Sequence, residues 1–178
     1  TDCYAEDVQY KEGKKASSYL SKPVLTDVNG KKLSAGKDYS KKYSYEYDED
    51  TVLADGRTVS EGNAVNPDDL IAAGTAIRVV VRASGENYMD DTYAVYRVVN
   101  NLIKNGKYSI KRSFYYNGEP IEPQITDIET DAPVGSYEII GYEKNTKPGT
   151  GTVILHGTGS YGGSRKVKFK ILRRNYSK

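Results

Sequence analysis

Three kinds of residue in this 178-residue chain have the chemistry to act. The first is a set of carboxylates, Asp48, Glu49 and Asp50, with Asp55 close behind. Calcium takes six to eight oxygens from a compact loop, so such a cluster is worth weighing. An EF-hand loop needs Asp-x-Asp-x-Asp-Gly and a glutamate at its twelfth position, which this spacing lacks. A solvated acidic loop is the reading, with Asp90-Asp91 as a weaker second pair and no metal assigned. The second kind is nucleophile and base. One cysteine, Cys3, and one histidine, His156, leave almost nothing for a zinc site or for a Cys/His or Ser/His centre. His156 also sits in a strand-like run rather than a nucleophile elbow. Asp and Glu are plentiful enough for paired-carboxylate glycosidase chemistry, but two small cores leave little room for a deep cleft. A Lys–Asn isopeptide bond needs a buried Lys, Asn and acid together, and Asn101 and Asn145 offer no such triad. The third kind is aromatic. Tyr43, Tyr45 and Tyr47 alternate along one run; they are either a sugar platform or a buried face, and alternation favours the buried face. The expectation is a chain that is not an enzyme and carries no cofactor.

These residues must be positioned by short elements. Seventeen glycines and six prolines break the chain often, and helical periodicity is nearly absent, which favours an all-β protein. Only 37% of residues are hydrophobic, yet 17 tyrosines can build cores whose hydroxyls reach polar partners. From Tyr39 to Tyr47, tyrosines share one face while Ser40, Lys42, Ser44 and Glu46 take the other. Val167, Phe169 and Ile171 alternate with Lys166, Lys168 and Lys170, and Ala94, Tyr96 and Val98 form the counterpart. Ile77 to Val81 and Val153 to Leu155 read as central strands. Asn117-Gly118 suits a tight hairpin and Gly162-Gly163 a further turn. The lysines of the last strand, with Arg173-Arg174, read as a solvent-facing edge. A formal net charge of +2 argues against nucleic acid as a partner. No run approaches the length of a membrane-spanning helix, so no membrane insertion is expected. Thr1 opens no signal-peptide pattern, which reads as a mature protein or an excised fragment. Cys3 reads as a thiol at a frayed end.

The chain also repeats itself. Pro23-Val24-Leu25-Thr26-Asp27-Val28 is echoed by Pro123-Gln124-Ile125-Thr126-Asp127-Ile128. Tyr10 to Gly13 parallels Tyr116 to Gly118, Tyr39 parallels Tyr137, and Gly74-Thr75 parallels Gly149-Thr150. Gly85-Glu86-Asn87-Tyr88 parallels Gly159-Ser160-Tyr161, and each half ends in an alternating strand. Two tandem modules follow, residues 1–100 and 101–178. Tyr39 to Gly74 spans 35 positions and Tyr137 to Gly149 only 12, so the first module carries an insertion of about 23 residues, roughly 49–72. Within it, Asn66-Pro67-Asp68-Asp69 followed by Leu70-Ile71 and Gly74 predicts a short helix. Loops vary without disturbing a scaffold, so binding is expected here, through Asp50, Asp55, Arg57, Glu61, Asn63, Asn66 and Asp68.

The order Tyr-x-Gly-(Lys/Glu)-x-Ile-x-Pro, Gly-x-x-Tyr, Gly-Thr-x-x-(Val/Ile), Gly-x-Tyr-x-Gly and (Val/Tyr)-x-Phe-x-Ile resembles repeat modules of Gram-positive bacterial surface proteins. These are the tandem immunoglobulin-like or mostly-β-grasp modules of adhesins and cell-wall proteins. Residues 116–123, 159–163 and 167–171 carry the likeness, and the first half departs through its insertion and through Met89-Asp90-Asp91. The resemblance implies two small β-sandwich modules, immunoglobulin-like or grasp-like, in a monomeric segment of a longer chain. It also implies an extracellular, surface or secreted location and adhesion to a host protein or glycan. A purely structural stalk, or accessory β-domains of a larger secreted carbohydrate-active enzyme, are the alternatives.

Overall fold

The computed structural model describes residues 1–83 and 91–174. The Gly85 to Tyr88 turn and Met89-Asp90 lie outside the described residues. The protein is mostly β and divides into two compact units, Thr1–Asn100 and Asn101–Lys178.

Unit 1 contains β1 (Asp2–Tyr4), β2 (Val8–Gln9), β3 (Val24–Thr26), β4 (Tyr39–Tyr47), β5 (Thr51–Val52), β6 (Thr58–Val59), β7 (Ala76–Ala83) and β8 (Thr92–Val99). A four-stranded sheet runs β2-β8-β7-β4, with β2 parallel to β8 and the other pairs antiparallel. β1 pairs antiparallel with β3, and β5 with β6. The alternation read from the sequence decides which face is inside. Ala94, Tyr96 and Val98 of β8 and Ile77, Val79 and Val81 of β7 are buried. Removal of each large side chain from water contributes about 2 kcal/mol.

Unit 2 contains β9 (Asn101–Leu102), β10 (Tyr108–Ser109), β11 (Phe114–Tyr115), β12 (Glu129–Thr130), β13 (Tyr137–Glu143), β14 (Gly149–Gly157), β15 (Tyr161–Gly162) and β16 (Ser164–Leu172). Its sheet runs β11-β16-β14-β13, again with a short first strand parallel to the last. β10 pairs antiparallel with β12, as β1 does with β3, and β9 pairs with β15. Connectivity is thus the same for six strands in each unit. Register agrees as well: Val8 faces Val98 where Phe114 faces Ile171. Tyr10 N–H donates to Val99 O at 2.7 Å where Tyr116 N–H donates to Leu172 O at 2.9 Å. Each unit has its own core. In unit 1 it holds Tyr19, Tyr47 and Tyr96 with Leu53, Ile71 and the β7–β8 aliphatics. In unit 2 it holds Val153, Leu155, Val167, Phe169 and Ile171 with Tyr108 and Tyr137.

Four local expectations are corrected. Residues 66–74 form turns, not a helix. Carbonyls that a helix would use internally are taken by distant donors: Ser17 N–H bonds Pro67 O, Ala16 N–H bonds Asp69 O and Ala54 N–H bonds Leu70 O. Asn66 Oδ1 accepts from Asp68 N–H at 3.0 Å, an Asx turn that competes with helix formation. The Pro-x-x-Thr-Asp echo is not structurally equivalent, because Val24–Thr26 is a strand whereas Ile125–Asp127 is a 3₁₀ turn. Asn117-Gly118 turns without making a hairpin, since β11 runs parallel to its partner β16. Cys3 is not at a frayed end. It lies in β1 opposite Leu25 and packs against the core, and burial pushes its thiol up to about 11.

Candidate functional site

The insertion is laced into unit 1 rather than hung from it. Tyr47 N–H donates to Asn63 O at 2.9 Å, Gly62 N–H to Tyr47 O and Val65 N–H to Tyr45 O, so residues 62–65 cover the outer edge of β4. Leu53 and Ile71, 2% and 1% exposed, are core residues, and Val59 and Val65 pack beside them. Buried at the base is Asp69, whose Oδ2 accepts from the Tyr47 hydroxyl at 2.7 Å. Its Oδ1 accepts from Arg57, also at 2.8 Å from Asp55. Desolvation pushes the Asp69 carboxyl up, but the Tyr47 and Arg57 hydrogen bonds outweigh it and hold the group below the usual carboxylate range. Burial, then the adjacent Asp69, pushes the Tyr47 phenol well above its ordinary value. The hydrogen bonds from Arg57 lower Asp55.

All seven residues expected to bind are exposed, and they fall into separate groups. Asp55 and Arg57 belong to the Asp69 network. Asp50 accepts from Glu61 N–H at 2.9 Å. Glu61 also approaches Arg78, at 3.6 Å, while Arg78 bonds Asp48 at 2.6 Å and lies over the Tyr93 ring at 5.0 Å. Asp68 pairs with Lys15 at 2.7 Å and with Asn66 through the Asx turn, while Asn63 contributes its backbone carbonyl. The residues that organise the surface, Tyr47, Asp69 and Arg78, were missed. Their partners are far along the chain, and only the alternation that buried Tyr47 hinted at one of them.

The other candidates resolve into structural roles. Of the acids weighed for calcium, Asp48 pairs with Arg78, Asp55 with Arg57, and Asp50 accepts from the Glu61 amide, and among the described residues no three metal-ligating side chains converge. Tyr47 is fully buried and the Tyr45 hydroxyl reaches Ser21 O at 3.2 Å, so the tyrosine stripe lines the core. His156 Nδ1 lies 3.2 Å from Ser164 Oγ, with Glu138 as its neighbour on β13. That row runs across the three neighbouring strands β13, β14 and β16, and the His156–Ser164 contact is exposed. Asn145 donates to Ile121 O. In unit 1 a cavity of about 40 Å³ beside Leu25, Tyr39 and Val81 is far below the few hundred cubic ångströms of a small-molecule site.

Unit 2 is chemically different. Residues 1–100 hold 13 Lys and Arg against 17 Asp and Glu, whereas residues 101–178 hold 13 against 7. Formal charges are therefore −4 and +6, which the whole-chain value of +2 conceals. On β16, Lys166, Lys168 and Lys170 are exposed while Val167, Phe169 and Ile171 are buried. Beside that face lies a groove of about 380 Å³ bordered by Lys111, Arg112, Lys168 and Lys170. A second, of about 550 Å³, lies between Tyr116-Asn117 and Arg173-Arg174. The chain matches no family model and no curated protein.

Proposed function

We propose that the chain is a pair of copies of one small β-sandwich module, immunoglobulin-like or grasp-like, in a bacterial surface protein. It acts by adhesion to a host protein or glycan rather than by catalysis. The carrying observation is the shared connectivity: both units close a four-stranded sheet with a short first strand parallel to the last, in matching register. Duplicating a scaffold while changing its loops and charges is how binding surfaces are diversified. The exposed polar side chains of the insertion offer one such surface. A second reading is a structural stalk, and the burial of Leu53 and Ile71 favours it for the insertion itself. The two separate in one experiment. Fibrinogen, fibronectin, collagen and a panel of host glycans are immobilised and the chain is tested for saturable binding. Adhesion predicts binding that weakens in Asp50→Lys with Glu61→Lys, while circular dichroism is unchanged. No saturable binding to any probe supports the stalk.

A further inference from the structure

We propose that the outer face of β16, with the groove beside it, binds a linear anionic polysaccharide bearing sulfate or carboxylate groups. The proposal rests on the reading of the chain as a binding module, but places the ligand on unit 2 rather than on the insertion.

The argument starts from charge. Unit 2 has an excess of six cations, and the strand period sets three lysines on one face about 7 Å apart. Lys166 is neutralised by Glu143 at 2.7 Å. Lys168 and Lys170 have no ion-pair partner among the described residues, and both border the groove. Across it, Lys111 and Arg112 are held in place by Glu129 and Asp127, each at 2.7 Å. The fixed pair therefore forms a wall, and the unpaired lysines are the charges left to meet a ligand. Thr150 and Ser113 add hydroxyls between them. Arg173 and Arg174 continue the basic track past the strand end.

Three ligand classes compete for such a track. Single-stranded nucleic acid needs open rings on which bases stack. Here Phe169 is 2% exposed and Phe114 is covered by the Arg112 guanidinium at 4.3 Å, so the groove offers ammonium and hydroxyl donors instead. Tyr115, 60% exposed at the end of the same face, is a single open ring, enough for the apolar side of one sugar but not for a run of stacked bases. The acidic unit of a second copy is the other competitor. Part of its acidic charge is committed internally, with Asp48 on Arg78, Asp55 and Asp69 on Arg57, and Asp68 on Lys15, and the sedimentation arm of the test below reads self-association directly. A repeating anion with sugar hydroxyls between its charges fits the donors that remain.

The test uses the full chain and heparin as the anionic probe, with neutral dextran and a single-stranded oligonucleotide as comparisons. Lys168→Glu with Lys170→Glu is set against Lys31→Glu with Lys32→Glu, which changes the net charge equally from exposed positions in unit 1. Circular dichroism establishes that both variants are folded. The β16 pair is expected to weaken heparin binding about tenfold or more and to reduce the salt slope by about two, and the unit 1 pair to change it less than about twofold. Dextran should not bind. Equal loss in both variants would reduce the effect to bulk charge and overturn the proposal. So would equal or tighter binding of the oligonucleotide, or lysine-dependent self-association in sedimentation. Binding of the host proteins through the insertion is read separately, so either reading can fail alone.

Discussion

Unit 1 and unit 2 each build a four-stranded sheet of the same connectivity and finish it differently. In unit 1 the outer edge of β4 is covered by residues 62–65, and the strand that follows the insertion carries Ile77 opposite Tyr96. In unit 2 the counterpart of β4, β13, ends the sheet with Ile140 55% exposed, and on β14, the counterpart of β7, Gly151 stands opposite Phe169. The cores differ to match. Unit 1 buries tyrosines whose hydroxyls end on internal partners: Tyr47 on Asp69, Tyr19 on Lys11 O and Tyr96 at Ser21 N–H. Unit 2 relies on a Phe169 ring lying where Gly151 has no side chain, and a Cβ there would overlap the ring. A segment that looks like an addition in the sequence is thus part of how unit 1 completes its interior.

The strongest way to break that comparison is Ile71→Ala. If the insertion completes the core of unit 1, deleting this 1% exposed side chain should cost about 3 kcal/mol. Hydrogen exchange of the full chain would show protection lost in residues 1–83 and kept in residues 101–172. A change below about 0.5 kcal/mol would mean an ornamental loop. The matching test in unit 2 is Gly157→Ala, where an added Cβ would sit 2.6–2.8 Å from the backbone of Gly162. Unit 1 has Ala83 at the same register, opposite Tyr39 as Gly157 is opposite Tyr137. The substitution should cost about 2 kcal/mol, with protection lost from β14 and β15 first.

What the sequence disclosed and what it hid follow from range. Period-2 alternation placed the buried faces of β4, β8 and β16, and Tyr39 and Tyr137 open their strands where the glycine turns before them indicated. Those are properties of a few neighbouring residues. The short helix at 66–74 failed because its cap and proline signals are local, whereas the hydrogen bonds that decide the segment come from Ala16, Ser17 and Ala54. Asp69 read as one more acid at a helix start, yet its partners lie 12 and 22 residues away. The basic face of unit 2 was legible as alternating lysines, but its excess of charge disappeared in a sum taken over both units.

Asp69 supplies a pH test that should distinguish the units. Its folded-state pKa is lowered, so it contributes stability that is fully present above the unfolded carboxylate value of about 3.9 and is lost as pH falls through the folded value. Unit 1 should lose stability across that window through this group, and Asp69→Asn should flatten that part of the acid titration. Unit-resolved exchange between pH 5 and pH 2.5 measures it. An unchanged acid profile in Asp69→Asn would remove the carboxylate from the account of unit 1.

The smallest effect is the most discriminating, because it compares one atom in each core. The Tyr47 hydroxyl is buried and donates to a carboxylate, whereas the Tyr108 hydroxyl is buried with no hydrogen-bond partner among the described residues. Removing a donor from a buried charged acceptor costs about 1.5 kcal/mol, since the Asp69 carboxylate loses its 2.7 Å bond from Tyr47 and keeps Arg57 as its side-chain partner. Removing a hydroxyl that bonds nothing discards a desolvated group, and Arg165 keeps its position 5.3 Å over the ring. Tyr47→Phe should therefore destabilise unit 1 by about 1.5 kcal/mol, while Tyr108→Phe leaves unit 2 unchanged or more stable by up to about 1 kcal/mol. Paired denaturant titrations, with exchange to assign each transition, read both. Equal losses in the two variants would show that tyrosine serves both interiors in the same way, and that the hydroxyl network is not what sets the units apart.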